Sequence, residues 1–239
     1  PPRSTLFPYT TLFRSKPHES MDEAYDEFID AIKRTVKRGG KVIVPAFAVG
    51  RTQNLTYMLS DAIENGEIPD VPVVVDSPLA VNASDLYRKH TECFDDETWQ
   101  FIAEHRMKGL DYHNVIFTRS VDESKALNEW NEPMIIISAS GMAESGRILH
   151  HLKNNIEDGR NTILIISWQA PDTLGRKLAD RERKVRIFGE EYYRKAEVVN
   201  FGGLRAHAGH NLLVDTRSPA RTRSRDLFWY MERKPLPRL

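Results

Sequence analysis

KRGGKVIVPAFAVGRTQ, residues 37–53, decides the fold class. Its middle, KVIVPAF, is a short continuous apolar run rich in Val and Ile, the composition of a strand buried on both faces. Gly39 and Gly40 precede it and stop a helical pattern in which Ala24, Phe28, Ile32 and Val36 recur at helical spacing. That helix opens on a capping box of Ser20, Met21, Asp22 and Glu23. After the strand, Gly50 allows a tight turn, and Arg51 and Thr52 open a second helix carrying Leu55, Met58, Leu59 and Ile63. Helix, buried strand, tight turn and helix in succession are the pattern of βαβ units around a parallel sheet.

The same alternation continues along the chain. The second helix stops at Asn65 and Gly66 and leads into VPVVVDS, and further strands are readable at NVIFT, PMIIIS and TILIISWQ. Between them, a helical stretch from about Leu79 to Met107 carries Leu86, Tyr87, Phe94, Trp99, Phe101 and Ile102, which read as cap or core packing rather than ligand contacts. A helix around Arg147 to Ile156 precedes TILIISWQ. The segments KVRIFGE and AEVVNFGG then indicate a more β-rich region, with a candidate domain boundary near Lys184. The expected fold class is α/β, a mainly parallel sheet flanked by helices.

Composition narrows the classes. At 40% hydrophobic and 28% charged the chain is ordinary for a soluble protein, and its longest apolar runs are too short to span a bilayer, so no membrane segment is expected. Formal net charge is zero, so the chain as a whole offers no electrostatic argument for nucleic acid; local basicity is confined to the tail, where RSPARTRSRD strings arginines together. The single cysteine, Cys93, leaves no internal disulfide and fits a reducing cytoplasm. Residues Thr5 to Ser15, TLFPYTTLFRS, read as the translation of a common short-read sequencing adapter. Residues 1–15 are therefore expected to be adapter-derived and the native chain to begin near Lys16.

Four strand ends carry residues that chemistry could use, at the position where open α/β sheets place their ligand crevice. In PAFAVGRTQ, Arg51 and Thr52 start a helix whose free amides suit a phosphate, or Thr52 simply caps it. In VDSPLA, Asp76 and Ser77 end a strand before Pro78, and a capping turn is the favoured reading. In ISASGMAESGRILHHL, the small residues Ser138, Ala139, Ser140 and Gly141 let backbone approach a ligand, ahead of a helix bearing Arg147. His150 and His151 sit on adjacent, divergent positions of that helix, poor chelators and a surface or core pair. The fourth end, FGGLRAHAGHNLL, concentrates Arg205, His207 and His210 among glycines; a histidine there can hold a phosphate oxygen or move a proton to a leaving group. Two histidines without a third ligand are thin grounds for zinc, and His210 reads as a surface residue. The residues by themselves support an α/β phosphate or nucleotide binder, with enzyme and non-enzyme readings level.

The ordered set KRGGKVIVPAFAVGRTQ, VPVVVDSPLA, IISASGMAESGRILHHL, DTLGRKL and FGGLRAHAG resembles the β-CASP group of metallo-β-lactamase-fold RNA nucleases, over roughly Lys16 to Val214. The resemblance implies a β-CASP cap domain over 16–183 and a partial metallo-β-lactamase-type αββα segment over 184–239, divergent after about residue 215. It implies a parent that binds RNA between the two domains and hydrolyses its phosphodiester bonds with two zinc ions, through a metal-activated hydroxide. His207 matches the histidine of the family's Ser-Gly-His-Ala or Ser-Ala-His-Ala motif, which touches the scissile phosphate, and is the expected catalytic residue. Arg205 stands where the family usually has Ser. Ser140 and Gly141 match the Ser-Gly-Met loop and Arg51 the Gly-Arg-Thr-Gln turn, so these four are the expected substrate-binding residues.

Departures carry expectations of their own. The family's His-x-His-x-Asp-His zinc motif and its acidic Glu-Ser-Thr-Tyr-Gly motif are absent from the sequence, the latter normally lying just before KPHES with His18. No metal ligand is therefore assigned in this chain, and as an isolated fragment it is expected to be inactive. DLFWYMERKPLP resembles the family's segment ending in Val-His-Gly-Glu, which puts Tyr230 where a zinc-binding His would stand. A frame error and genuine divergence compete as explanations. The alternative to a ribonuclease is a zinc-free β-CASP scaffold subunit of an RNA-processing complex. A cytoplasmic location and a homodimer of the full-length parent complete the expectations.

Overall fold

The computed structural model describes residues 21–90, 92, 99 and 114–202, all within one compact unit, Glu19–Arg205. The first helix, α1 (Met21–Lys37), leads into β1 (Val42–Pro45) and then α2 (Arg51–Glu64). Next come β2 (Val73–Val75), α3 (Pro78–Lys89), β3 (Val115–Phe117), α4 (Val121–Ala126) and β4 (Ile135–Ser138). The chain continues through α5 (Ile148–Asn155), β5 (Thr162–Ile165), α6 (Leu174–Ala179), the hairpin β6 (Lys184–Ile187) and β7 (Glu190–Tyr193), and β8 (Glu197–Asn200).

Six strands form one sheet in the order β3-β2-β4-β1-β5-β8, and every pairing in it is parallel. The expected α/β class is what the structure has. Continuous apolar strands are explained by the two cores. Val42, Val44, Val73, Val75, Ile135 and Ile137 pack on one face against Phe28, Ile32, Leu55 and Leu59. Their neighbours Ile43, Val74 and Ile136, with Ile163 and Ile165, pack on the other against Ile148, Leu152, Leu174 and Leu178. Alternate residues of each strand thus enter opposite cores, and a run such as VIVP has no solvent face on which to place a polar residue. Burying Phe28, whose ring lies 4.8 Å from that of Phe201, contributes about 2–3 kcal/mol.

The segment after Lys184 departs from the parallel pattern once. Lys184–Ile187 and Glu190–Tyr193 pair antiparallel as a separate two-stranded hairpin. Phe188 and Gly189 connect them, both with positive φ, the conformation a two-residue turn needs to match strand twist. Val185 and Ile187 anchor this hairpin in the second core, while β8 returns to the main sheet beside β5. Glu197 at the start of β8 accepts from Arg34 at 2.9 Å and pairs with Arg38 at 2.8 Å, tying α1 to that edge.

Candidate functional site

Parallel pairing brings the carboxyl ends of all six strands to one edge of the sheet, so the loops that follow them share it. β1 and β4 are neighbours there. The helix after β1 packs into the first core through Leu55 and Leu59, and the helix after β4 into the second through Ile148 and Leu152. Loops that leave adjacent strands toward opposite faces open a crevice between them. Arg51 belongs to the helix start after β1, and Ser140 and Gly141 to the loop after β4.

The strongest polar cluster at this edge was not an expected site residue. Asp76, at the end of β2, is fully buried and accepts four hydrogen bonds. Its Oδ1 receives Thr118 Oγ1 at 2.5 Å and Arg147 Nη1 at 2.6 Å; its Oδ2 receives Ser124 Oγ at 2.6 Å and His151 Nε2 at 2.6 Å. Its backbone carbonyl accepts from Ser138 Oγ at 2.7 Å. Burial pushes the Asp76 carboxyl up, but hydrogen bonds from His151, Ser124, Thr118 and Arg147 outweigh burial and hold it well below the ordinary carboxylate range. A carboxylate has about four acceptor positions, and all are taken. Asp76 therefore joins the ends of β2, β3 and β4 to α4 and α5, and has no lone pair left for a metal or a proton in transit.

The capping reading of VDSPLA holds for Ser77, whose hydroxyl accepts from Ala80 N at 3.4 Å, and overlooks its neighbour. His151 and His150 do diverge: His151 is the buried partner of Asp76, and exposed His150 lies 4.7 Å from the Phe188 ring. Arg147 also donates from Nη2 to Arg119 O at 2.8 Å, which carries the network onward to the loop after β3. No periodicity reveals such a hub, because its members are spread from residue 76 to residue 151. A lone Asp closing an all-valine buried strand was the available signal, since a carboxylate entering a core needs partners from elsewhere.

The Ser140–Gly141 loop is tightly fastened. Ser140 Oγ accepts from the amides of Glu144 at 3.1 Å and Ser145 at 3.3 Å, so its own proton remains to be donated. Among the described residues nothing accepts that proton. Gly141 packs directly under Phe47: a Cβ there would meet the ring at 2.8 Å. Gln169 Nε2 donates to Gly141 O at 3.0 Å, and the amide of Gly175 to Met142 O at 3.0 Å. A Cβ on Gly175 would lie 2.8 Å from that same carbonyl and 1.9 Å from Gln169 Oε1, so the helix α6 approaches the loop only because residue 175 is glycine. Glu144 completes the attachment by accepting from Leu174 N.

At the start of α2, Thr52 Oγ1 donates back to Phe47 O at 2.9 Å, not to a helix amide, while Gln53 Oε1 accepts from Gly50 N at 2.7 Å. The helix start is thus closed by Gln53. Arg51 is half-buried, which lowers its guanidinium from the ordinary value, and among the described residues no carboxylate pairs with it. Arg205 and His207, together with His18, His210 and Tyr230, lie outside the described residues. Among the described residues no three His, Cys, Asp or Glu side chains come together to hold a metal ion, so this part of the chain does not fit a zinc site. No described helix is long and apolar enough to cross a membrane.

The Beta-Casp domain family matches residues 52–178, which run from the second residue of α2 through the Asp76 hub and the Ser140–Gly141 loop into α6. The chain belongs to the β-CASP family. This β-CASP chain is 34% identical, over 90% of its length, to a ribonuclease of Thermus thermophilus, of which the match covers 49%. It is 31% identical over 79% of its length to an RNase J-like protein of Methanocaldococcus jannaschii, covering 42% of that protein. A transcription termination factor of Pyrococcus abyssi is 32% identical over 84% of the chain and is itself covered to 32%. The β-CASP chain thus spans about half or less of the length of these relatives.

Proposed function

We propose that the protein carrying this chain is a zinc-dependent ribonuclease that hydrolyses RNA phosphodiester bonds, with the β-CASP domain forming one wall of its substrate cleft. The observation that carries the reading is membership of the β-CASP family, joined to 34% identity with a named ribonuclease. Each residue assigned to the wall has a chemical task. Ser140, its acceptor positions filled by Glu144 and Ser145, presents a hydroxyl proton to a phosphate oxygen. Gly141 exposes backbone, and Arg51 supplies positive charge. His207 supports the leaving group by proton transfer, and Arg205 holds a phosphate beside it. Zinc would supply Lewis-acid chemistry. Its ligands would come from parts of the protein other than the described residues. A cytoplasmic homodimer goes with this reading, on the lone Cys93 and the family resemblance.

A second reading rests on two residues. Arg205 replaces the family's usual Ser, and Tyr230 stands where a zinc-binding His would be, as expected of a zinc-free scaffold subunit of an RNA-processing complex. Zinc analysis of the complete protein, with cleavage of end-labelled RNA before and after chelation, separates the two. Cleavage lost to chelator and restored by zinc supports the nuclease. RNA binding without zinc and without cleavage gives the scaffold.

A further inference from the structure

We propose that the loop after α6 and the end of the β6–β7 hairpin form a basic surface that holds the phosphate backbone of RNA running beyond the crevice, an interaction that rests on the RNA reading above. Arg194 organises it. Its amide donates to Arg183 O at 2.9 Å, and its guanidinium donates from Nε to Glu182 O at 3.1 Å, from Nη2 to Arg181 O at 3.0 Å and from Nη1 to Ala196 O at 2.8 Å. Every acceptor is a neutral carbonyl, so Arg194 draws the backbone of Arg181 and Arg183 to its side while its own charge stays uncompensated. Lys195 follows, its amide donating to Ile156 O at 2.9 Å, at the end of α5 and ahead of β5. That contact sets the surface at the amino edge of the parallel sheet, opposite the edge from which the loops with Arg51 and Ser140 leave.

Arg181, Arg183 and Lys195 are exposed, and among the described residues neither they nor Arg194 form an ion pair. Asp158, which lies within the field of Lys195, is already bound by Arg160 at 2.7 Å. Glu190 and Glu191, which offset these charges in the composition, are bound by Lys153 at 3.1 Å and by Lys184 at 3.8 Å. Backbone conformation is an independent observation. Arg181 stands just past the end of α6 at φ 59°, with its amide bonded to Leu178 O at 2.9 Å and the Glu182 amide to Lys177 O at 3.0 Å. In that helix ending the left-handed residue is ordinarily glycine, so an arginine there is strained where glycine is not, and a side chain used for binding explains it. A phosphodiester chain supplies the anions this surface lacks. The loop offers no exposed apolar anchor of the kind a protein interface buries, and the adjoining exposed ring, Tyr193, has Lys184 Nζ over it at 4.7 Å.

The test is equilibrium binding of the complete protein to a short labelled oligouridylate and to one several times longer, over a range of salt. Arg181→Gly is expected to unfold at the wild-type temperature or above it, because glycine is at ease in that conformation. It should nevertheless bind the long oligomer several-fold more weakly, with the slope of log affinity against log salt shallower by about 0.7. Arg183→Gln should do the same, and Glu182→Gln, which removes the opposing charge, should bind the long oligomer more tightly. The short oligomer, held in the crevice alone, should bind all of these variants as it binds wild type. Long-oligomer affinity and salt slope unchanged in Arg181→Gly and Arg183→Gln, or equal weakening of both lengths, overturns the surface and leaves the RNA reading standing. Wild type that binds neither oligomer brings down both. Polyglutamate that binds wild type more tightly than the long oligomer does, and is lost in Arg181→Gly, would give the surface to an acidic protein and likewise overturn the proposal.

Discussion

His151 Nε2 and Asp76 Oδ2 meet at 2.6 Å inside the protein, the histidine from the middle of α5 and the aspartate from the end of β2. Neither side chain reaches solvent appreciably. Through this carboxylate the loops after β2 and β3 and the helix after β4 are held together.

Asp76→Asn is expected to cost about 3–5 kcal/mol of stability, because an amide offers one acceptor oxygen where four donors converge and leaves Arg147 without its counter-charge. Urea unfolding of wild type and variant measures it. A loss below about 1 kcal/mol would show that the hub does not hold the strand ends together.

The same carboxyl sets an acid limit. Its folded-state value lies below the ordinary range, so its contribution is complete above the unfolded aspartate value of about 3.9 and is lost as pH falls from there through the folded value. Wild-type stability should therefore fall steeply below about pH 4, and Asp76→Asn should show a shallower fall. Denaturant midpoints across that range check it; parallel curves would remove Asp76 as the cause.

Close approach at the loop predicts an order of alanine substitutions. Gly175→Ala meets the Met142 carbonyl and is expected to destabilise by about 2–3 kcal/mol; Gly141→Ala meets only the Phe47 ring, which can turn, and should cost about 1–2 kcal/mol. Gly159→Ala, with nothing nearer than 3.8 Å, should be close to neutral. Thermal unfolding of the three variants tests the ranking, and Gly159→Ala as the worst would contradict it.

His207→Ala in the complete protein is expected to retain zinc and RNA affinity while lowering cleavage by about a hundredfold or more, the range for loss of a general acid. Single-turnover cleavage with metal analysis decides. Undiminished turnover removes His207 from the proposed site; loss of zinc makes it a ligand instead.

The sheet was largely legible because its strands are buried on both sides. KVIVPAF, VPVVVDS, NVIFT, PMIIIS and TILIISWQ each contain an observed strand, and the helices around them end near the glycines and asparagines that mark their limits. The strand EEYY, 190–193, escaped notice because three of its four residues are exposed and its pairing is local to a hairpin. The helix at Val121–Ala126 was missed as well, although Ser120 and Glu123 form a capping box; six residues are too few for an apolar period to show. Arg51, Ser140 and Gly141 were put forward as substrate-binding residues from motif order. Asp76, Arg147, His151 and Gln169 were not, because each acts through a partner distant in sequence, and only folding discloses which distant polar groups meet.

Strand order has one more consequence. β4 lies between β1 and β2, with Val42 and Val73 both paired to Ile135, so the middle of the sheet is supplied by a segment synthesised after both its neighbours. Until Ser138 has been synthesised, β1 and β2 lack the strand that both pair with, and β1 lacks β5 as well, so their backbone donors and acceptors have no native strand partner there. A nascent chain of this kind cannot fold piecemeal from its N-terminus. Its strand edges stay open until the strands that cover them arrive, and such edges are what misassembly and chaperones act on.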